Sequence, residues 1–321
     1  MRLLIVIVNY RTAELVIDCL QSLEGEVRQL AGTRVVVTDN ASGDDSAERI
    51  RAAVAQHGWG DWVQVMPLPR NGGFAYGNNA AIRPALESND PPDYFFLLNP
   101  DTTVHAGALS ALVRFMDAHE QVGIAGSRIE NPDGSARRTA FRFHSIAGEF
   151  AQAVQLGFVF RLLDRWTIAP PVRDETHRTD WVSGAAMIVR RAVFEQVGLL
   201  DEGYFMYYEE VDLIRRAADA GWQCWYVHDS RVVHLVGQAS GVTGEKRREK
   251  PMPRYWFDSR RRYLVRTHGR LYALAADLAW TAGYACWRLR RWLQRKPDHD
   301  PPHFLRDFVR YNFLPGRTVD R

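Results

Sequence analysis

Tyr94-Phe95-Phe96-Leu97-Leu98-Asn99-Pro100-Asp101-Thr102 is an apolar run of strand length that ends in a polar corner. Strands of open α/β sheets present ligand-binding groups at their carboxyl ends. Pro100 restricts Asn99 and stops the strand. Asp101 then falls just past the strand end, where its carboxylate could meet a hard cation bridging two phosphates. A plain strand-to-helix turn uses the same residue types, and the flanking sequence separates the two.

Three similar units precede this one. Leu3 to Val8 is continuously apolar, as expected of a parallel strand buried on both faces. Asn9-Tyr10-Arg11-Thr12 ends it, and Ala13 to Leu23 carries apolar residues at helical spacing. Arg34 to Thr38 is a second buried strand, ending in Asp39-Asn40-Ala41-Ser42, with Gly43 to Ser46 opening another helix. Val63 to Leu68 is a third, followed by Arg70-Asn71-Gly72-Gly73-Phe74 and the helix-like stretch Ala75 to Leu86. This alternation predicts an α/β fold with a Rossmann-like, mostly parallel sheet flanked by helices. The corners Asn9-Tyr10, Asp39-Asn40, Asn71-Gly72-Gly73 and Asn99-Pro100-Asp101 then gather along one sheet edge, where nucleotides bind in such folds. Asn, Asp and Gly are also ordinary turn residues; four such corners in register point beyond turns to a site. The first strand lacks G-x-G-x-x-G and no Walker loop is present. A phosphate must be held another way, and a carboxylate-bound cation is the simplest.

Downstream, Ala106 to His119 is amphipathic, Gly123 to Ile129 is a fifth strand, and Asn131-Pro132-Asp133-Gly134 is a turn. Residues 139 to 180 are less regular, rich in arginine and aromatics, and read as an insertion or cap. Asp180 to Val189 is a corner of small residues leading into a further buried strand; Gly184 and its neighbours would let backbone or ligand approach closely. Glu209, Glu210 and Asp212 open a helix that runs to Ala220. Acid at a helix N-terminus is favourable for dipole reasons alone, but the apolar, aromatic setting tends to raise a carboxylate pKa and make a usable base. Trp222 to Val227 is a strand, and Val232-Val233-His234-Leu235 follows. Taken alone, His234 is an ordinary core or surface histidine.

The 321 residues, 46% of them hydrophobic, suit one large or two modest domains. The change in character near residue 240 divides the chain into 1–240 and a basic helical extension, 241–321. Leu3 to Val8 is too short for a signal peptide. Cys19, Cys224 and Cys286 are far apart and odd in number, which suggests a reducing compartment and neither a disulfide framework nor a zinc site. The net charge of +3 hides an asymmetry: residues 245–296 hold fifteen Lys and Arg against four Asp and Glu, and the rest of the chain is acidic. A basic tail implies an anionic partner, nucleic acid or an anionic membrane surface. Leu271 to Leu289 is nearly apolar, with Trp280, Tyr284 and Trp287, and is interrupted by Asp277 and Arg288. It has about the length of a membrane span, yet Asp277, the alanines and the flanking arginines fit an interfacial helix better. An ordinary packed helical subdomain is the alternative. The interleaved tryptophans favour lipid over nucleic acid.

Val8-Asn9-Tyr10, Val37 to Ser42, Asn71 to Ala75 with Asn78-Asn79, Leu98 to Asp101, Ser183-Gly184-Ala185 and Phe205 to Leu213 occur in an order that resembles family 2 glycosyltransferases of the GT-A fold. The resemblance covers roughly residues 1–240 and looks strongest toward bacterial rhamnosyltransferases that act on polyprenyl-diphosphate-linked sugars. It implies a nucleotide-sugar site formed by Asn9, Tyr10, Asp39, Asn71, Gly72, Gly73, Asn79, Asn99 and Asp101. Asp39 would accept the N3–H of uracil or thymine. Asn99-Pro100-Asp101 would stand for the family's D-x-D with Asn in its first position, leaving Asp101 as the metal contact. His234, 24 residues after Glu210, matches the spacing of a second metal ligand. Glu210 falls at the family's catalytic base.

The resemblance further implies an inverting transfer of L-rhamnose from dTDP-L-rhamnose to a polyprenyl-diphosphate-linked sugar in cell-wall or surface-polysaccharide synthesis, with Mg²⁺ or Mn²⁺ as cofactor. The protein would be cytoplasmic and peripheral on the inner face of the cell membrane, bound there through its basic tail, with no nucleic-acid partner. The same motifs serve UDP-sugar donors such as UDP-galactofuranose or UDP-N-acetylglucosamine. A non-catalytic sugar-nucleotide-binding module is the reading from a different class, and Asn99 gives it room.

Overall fold

The computed structural model describes residues 2–235, 250–298 and 300–314. They fall into two compact units, residues 2–141, 171–205 and 209–235 in one and 142–170, 206–208, 250–298 and 300–314 in the other. The first opens with β1 (Leu3–Asn9), α1 (Ala13–Gln29), β2 (Thr33–Asp39), α2 (Ser46–His57), β3 (Val63–Pro67), α3 (Gly73–Leu86) and β4 (Tyr94–Leu98). Every residue of β1 and β4 is buried, which is why both read as unbroken apolar runs. The β1–β2 register is parallel from Leu3 opposite Thr33 to Asn9 opposite Asp39. β4 flanks β1 in parallel, from Leu3 opposite Tyr94 to Ile7 opposite Leu98, and β3 flanks β2. The polar corners after these strands therefore lie side by side.

β5 (Thr102–Val104), α4 (Ala108–Ala118), β6 (Val122–Glu130) and β7 (Ala140–Phe141) follow. Within unit two the chain then forms α5 (Ile146–Val154) and α6 (Gly157–Leu162). It returns to the sheet unit with β8 (His177–Thr179), β9 (Trp181–Val182), β10 (Ala186–Arg190), α7 (Arg191–Val197), α8 (Glu209–Asp219) and β11 (Gln223–His234). The sheet order is β3-β2-β1-β4-β10-β6-β11-β5, with β8 beside β11. β10 runs antiparallel to both β4 and β6, so the corner preceding it reaches the edge where β4 ends. The two short strands expected at 222–235 are one strand with a register shift between Val227 and Arg231. β5, three residues long, pairs antiparallel with its end and sets His234 opposite Thr102.

The core lies between the sheet and α1, α2 and α4, with Ile5, Leu20, Phe96 and Leu112 fully enclosed. Each such side chain contributes about 1.5–3 kcal/mol by leaving water. Glu26 of α1 is also buried, but its two oxygens accept from the backbone N–H of Gly107 (2.6 Å) and Leu109 (2.9 Å). A carboxylate thus satisfies the free donors at the start of α4 and complements its dipole.

The second unit adds α9 (Arg254–His268), α10 (Arg270–Leu293) and α11 (Phe304–Phe313) to α5 and α6. Gly283 of α10 lets α5 approach so closely that a Cβ there would meet Phe150 O at 2.8 Å. Phe257, Trp280, Tyr284 and Phe308 form the apolar centre, with Trp280 stacked on Phe308 at 3.8 Å. Arg260, Arg261 and Arg262 of α9 are consecutive in sequence but differ in setting. Arg260 is 1% exposed and binds Glu149 Oε2 (2.8 Å) and Asp277 Oδ1 (2.5 Å), while Arg261 binds Asp277 Oδ2 (3.0 Å). Asp277, which looked like a polar break in an apolar helix, is the partner these arginines require. Part of the tail's positive charge is therefore neutralised internally. Burial raises the Glu149 carboxyl, but the Arg260 charge and the His144 hydrogen bond outweigh it and hold the pKa down to about 2. The outward side of α10 carries exposed Leu271, Leu274, Leu278, Leu289, Trp292 and Leu293. Among the described residues no helix is long and apolar enough to cross a membrane. The charged stretch 245–249 lies outside the described residues.

Candidate active site

At the carboxyl end of β1, Asn9 is fully buried and donates Nδ2 to Asp39 Oδ1 at 2.7 Å. Its own Oδ1 accepts from Thr12 N (3.1 Å) and Thr12 Oγ1 (2.9 Å), which fixes the amide's orientation. Ser42 Oγ donates to Asp39 Oδ1 (2.6 Å) and Ser42 N to Oδ2 (3.2 Å). Asp39 is thus held rigidly by neutral donors, and Oδ2 keeps a lone pair for one more. Asn40 reaches from β2 to the β3–α3 corner: its Nδ2 donates to Asn71 Oδ1 (3.1 Å) and Gly73 O (3.0 Å). Asn71 Oδ1 also accepts from Gly73 N at 3.1 Å, and Gly72 N points at Asn40 Oδ1 at 3.4 Å. Gly73 has φ +87°, and a Cβ there would come within 1.9 Å of Phe205 O, so only glycine fits. Tyr10 is exposed at the mouth of this corner, with the Arg11 guanidinium over its ring.

Beyond β4, Asp101 is buried and its Oδ1 lies 3.0 Å from His234 Nε2. Asn99 Nδ2 lies 3.3 Å from the same nitrogen. Backbone bonds lock the trio: Leu235 N donates to Asp101 O (2.9 Å) and Asn99 N to Ala185 O (2.9 Å). Among the described residues no cluster of three His, Cys, Asp or Glu surrounds a common point. A carboxylate oxygen and an imidazole nitrogen aimed at one place nevertheless fit a cation such as Mn²⁺ or Mg²⁺ that takes its remaining ligands from phosphate and water. They do not make a protein-only cage.

The corner Ser183-Gly184-Ala185 joins this trio to the acidic helix. Ala185 O accepts from Asn99 N, and a Cβ on Gly184 would sit 3.4 Å from the Glu210 Cβ. Glu209 and Glu210 open α8 but differ in setting. Glu209 is buried, its Oε2 has no hydrogen-bond partner among the described residues, and burial followed by the neighbouring Glu210 charge pushes its pKa well up. Glu210, the next residue of α8, is half-buried. Asp212 serves to anchor the helix. It accepts from Tyr204 OH (3.3 Å) and Arg216 Nε (2.8 Å), and Arg216 in turn binds the carbonyls of Val197 and Leu199.

Asn79 stands apart from the other expected residues. Its amide is engaged with Leu200 O (2.8 Å), Leu200 N (3.2 Å) and Glu202 Oε1 (2.9 Å), so it pins the 200–202 loop to α3. Asn40 and Ser42, absent from the expected set, organise the corner around Asp39. Their signal was adjacency to Asp39 within Asp39-Asn40-Ala41-Ser42.

The sequence pattern described as "Glycosyltransferase like family 2" matches residues 2–257. This chain belongs to the family 2 glycosyltransferases. The glycosyltransferase is 32% identical over 216 residues to the N-acetylglucosaminyl-diphospho-decaprenol L-rhamnosyltransferase of Mycobacterium tuberculosis, across 64% of this chain and 68% of that one. It is 26% identical over 166 residues to rhamnosyltransferase WbbL of Escherichia coli, across 51% and 61%. Among solved structures it superimposes on mannosyltransferase PcManGT of Pyrobaculum calidifontis, determined with GDP-Man and Mn²⁺. The TM-score is 0.58 at 16% identity, covering 92% of this chain and 76% of that one. This likeness carries the fold, which is GT-A, with the mostly parallel sheet that the sequence predicted.

Proposed function

We propose that this glycosyltransferase moves L-rhamnose from dTDP-L-rhamnose to a polyprenyl-diphosphate-linked sugar with inversion at the anomeric carbon. The observation that carries the reading is one sheet edge bearing three separate chemistries: the rigidly held Asp39, the Asp101–His234 pair and the half-buried Glu210. Asp39 Oδ2 would accept the N3–H of a thymine or uracil ring, a donor that cytosine lacks. Asn71, Gly72 and Gly73 would border the nucleoside, with Asn9 and Tyr10 at the base. Asp101 and His234, with Asn99 beside them, would hold a divalent cation, which when bound offsets the charge of the departing nucleoside diphosphate. Glu210 would take the proton of the acceptor hydroxyl as that oxygen attacks the anomeric carbon from the face opposite the leaving group. A single displacement needs no second carboxylate as nucleophile. The similarity to two rhamnosyltransferases, one of them an N-acetylglucosaminyl-diphospho-decaprenol L-rhamnosyltransferase, supports rhamnose and the lipid-diphosphate acceptor.

The exposed side of α10 supports a peripheral position on the inner face of the cell membrane. Leu271 is 85% and Trp292 71% exposed, at opposite ends of a helix of 24 residues, with exposed Arg270 at its start. An apolar stripe of that length, rimmed by arginine, fits an interfacial helix on anionic lipid. A UDP-sugar remains the second reading for a specific reason: thymine and uracil present the same N3–H, so Asp39 does not separate them. The test is transfer to decaprenyl-diphospho-N-acetylglucosamine from a panel of dTDP- and UDP-sugars, with Mn²⁺, Mg²⁺ or chelator. Metal-stimulated transfer from dTDP-L-rhamnose is the expected result. Turnover of a UDP-sugar alone replaces the donor, and no turnover of any donor by folded protein favours a non-catalytic binding module.

A further inference from the structure

Two residues at the sheet edge take a left-handed backbone without being glycine. Arg11, after β1, has φ +59°, and Ala41, after β2, has φ +52°. That region crowds any Cβ, and such conformations persist where their surroundings over-determine them. Here the two corners are clasped together within the first unit. Arg11 N donates to Ser42 Oγ at 2.9 Å, and Arg11 Nε donates to Ser42 O at 2.8 Å. Ala41 N donates to Asp39 O (2.8 Å) and Asn40 N to Asn9 O (2.9 Å). A backbone N–H only donates, so Ser42 Oγ accepts from Arg11 and its single hydrogen is left for Asp39 Oδ1. Ser42 is 1% exposed and sets a donor on each Asp39 oxygen, Oγ on Oδ1 and N on Oδ2. Arg11 itself is exposed, with its guanidinium carbon 5.2 Å from the centre of the Tyr10 ring. Its side chain therefore does not fill the core; it ties one polar corner to the next.

We propose that Arg11 is a positioning residue for nucleotide recognition. Its Nε fixes the Ser42 peptide, and Ser42 in turn holds the Asp39 carboxylate in the orientation that leaves Oδ2 for the base. This rests on the reading of Asp39 as the acceptor of the N3–H. Arg11→Gln and Arg11→Met isolate the contact. Both remove the charge and the packing over Tyr10, but Gln places an amide nitrogen where Nε stands and Met places a methyl group there. The readouts are the affinities for dTDP and dCDP, which share deoxyribose and diphosphate, by calorimetry in saturating Mn²⁺, together with donor KM, kcat and thermal stability. In Arg11→Met the preference for dTDP over dCDP narrows by about threefold to tenfold, as for the loss of one neutral hydrogen bond, and donor KM rises while kcat is unchanged. Arg11→Gln keeps the wild-type preference. Arg11→Gly, which adopts the left-handed backbone without strain, narrows the preference as Arg11→Met does and keeps the test decisive if Arg11→Met folds poorly. A wild-type preference in both Arg11→Met and Arg11→Gly overturns the proposal. So does equal narrowing in Arg11→Gln and Arg11→Met, which makes the charge the cause, or an equal loss of affinity for both nucleotides in Arg11→Met. Asp39→Asn run alongside separates the two layers. If it loses the preference while Arg11→Met and Arg11→Gly keep it, positioning fails and Asp39 stands; if it keeps the preference, or wild type has none, the reading of Asp39 and the role of Arg11 fall together.

Discussion

Two buried polar clusters in this molecule solve opposite problems. In the helical unit, Glu149, Arg260 and Asp277 pair opposite charges, and His144 closes the chain at 2.6 Å. At the sheet edge, Asp39 is held by the neutral donors Asn9 and Ser42, with no ion pair among the described residues. A saturated ionic network can only hold elements together. A carboxylate fixed by neutral groups keeps both its charge and an open acceptor position, which is what recognition of an external donor requires. The contrast repeats within α8, where Asp212 is used by Arg216 while the Glu209 carboxyl has its pKa raised by burial and then by the Glu210 charge.

The largest effect expected is at Glu210. Glu210→Gln should lower kcat by about 10³-fold, with dTDP affinity and thermal stability unchanged; wild-type turnover would erase the functional side of the contrast. Arg260→Met should do the reverse, destabilising the fold by about 3–5 kcal/mol in denaturant titration because it leaves the buried Glu149 without its arginine and Asp277 with Arg261 alone. A loss near zero would mean that the network is not what holds α5, α9 and α10 together. The same network predicts an acid limit. The Glu149 pKa of about 2 in the folded protein lies below its ordinary 4.5, so its stabilisation is complete above about pH 4.5 and is lost as pH falls toward 2. That difference is worth about 3 kcal/mol, and Glu149→Gln should flatten this part of the stability–pH curve.

Smaller effects sharpen the other cluster. Asp39→Asn should weaken dTDP binding by about tenfold to a hundredfold, the worth of a hydrogen bond to a charged acceptor, and should narrow the preference for dTDP over CDP in competition. Unchanged selectivity would remove Asp39 from base recognition. Glu209 has the opposite sign from Glu149. Its folded pKa is raised by burial and by Glu210, so as pH rises above about 4.5 the unfolded chain ionises first and stability falls. Glu209→Gln should therefore lose less stability than wild type between about pH 5 and pH 8, and an equal loss would show that Glu209 is ionised in the fold.

The parallel half of the sheet was legible because strands buried on both faces must be apolar throughout, as Leu3 to Val8 and Tyr94 to Leu98 are. The side-by-side corners followed from that register. Other features carry no local signal. β5 is three residues long, and the reversed direction of β10 depends on partners distant in sequence. α5 and α6 were hidden in a stretch that lacks clear periodicity. Asn79 sits among residues that face the corner, yet tertiary packing turns its amide to Leu200. Asp277 and Arg260 looked like a flaw in an apolar helix and a member of a charge run, and only three-dimensional pairing gives them their meaning.

The most direct test of the sheet-edge site is calorimetric titration of dTDP and GDP into the full chain, with and without Mn²⁺. Asp39 and the Asp101–His234 pair predict that dTDP binds, that Mn²⁺ tightens it, and that GDP does not compete. Equal binding of GDP and dTDP, or dTDP binding indifferent to Mn²⁺ and to chelator, would contradict the assignment of this edge as a metal-assisted pyrimidine-nucleotide site.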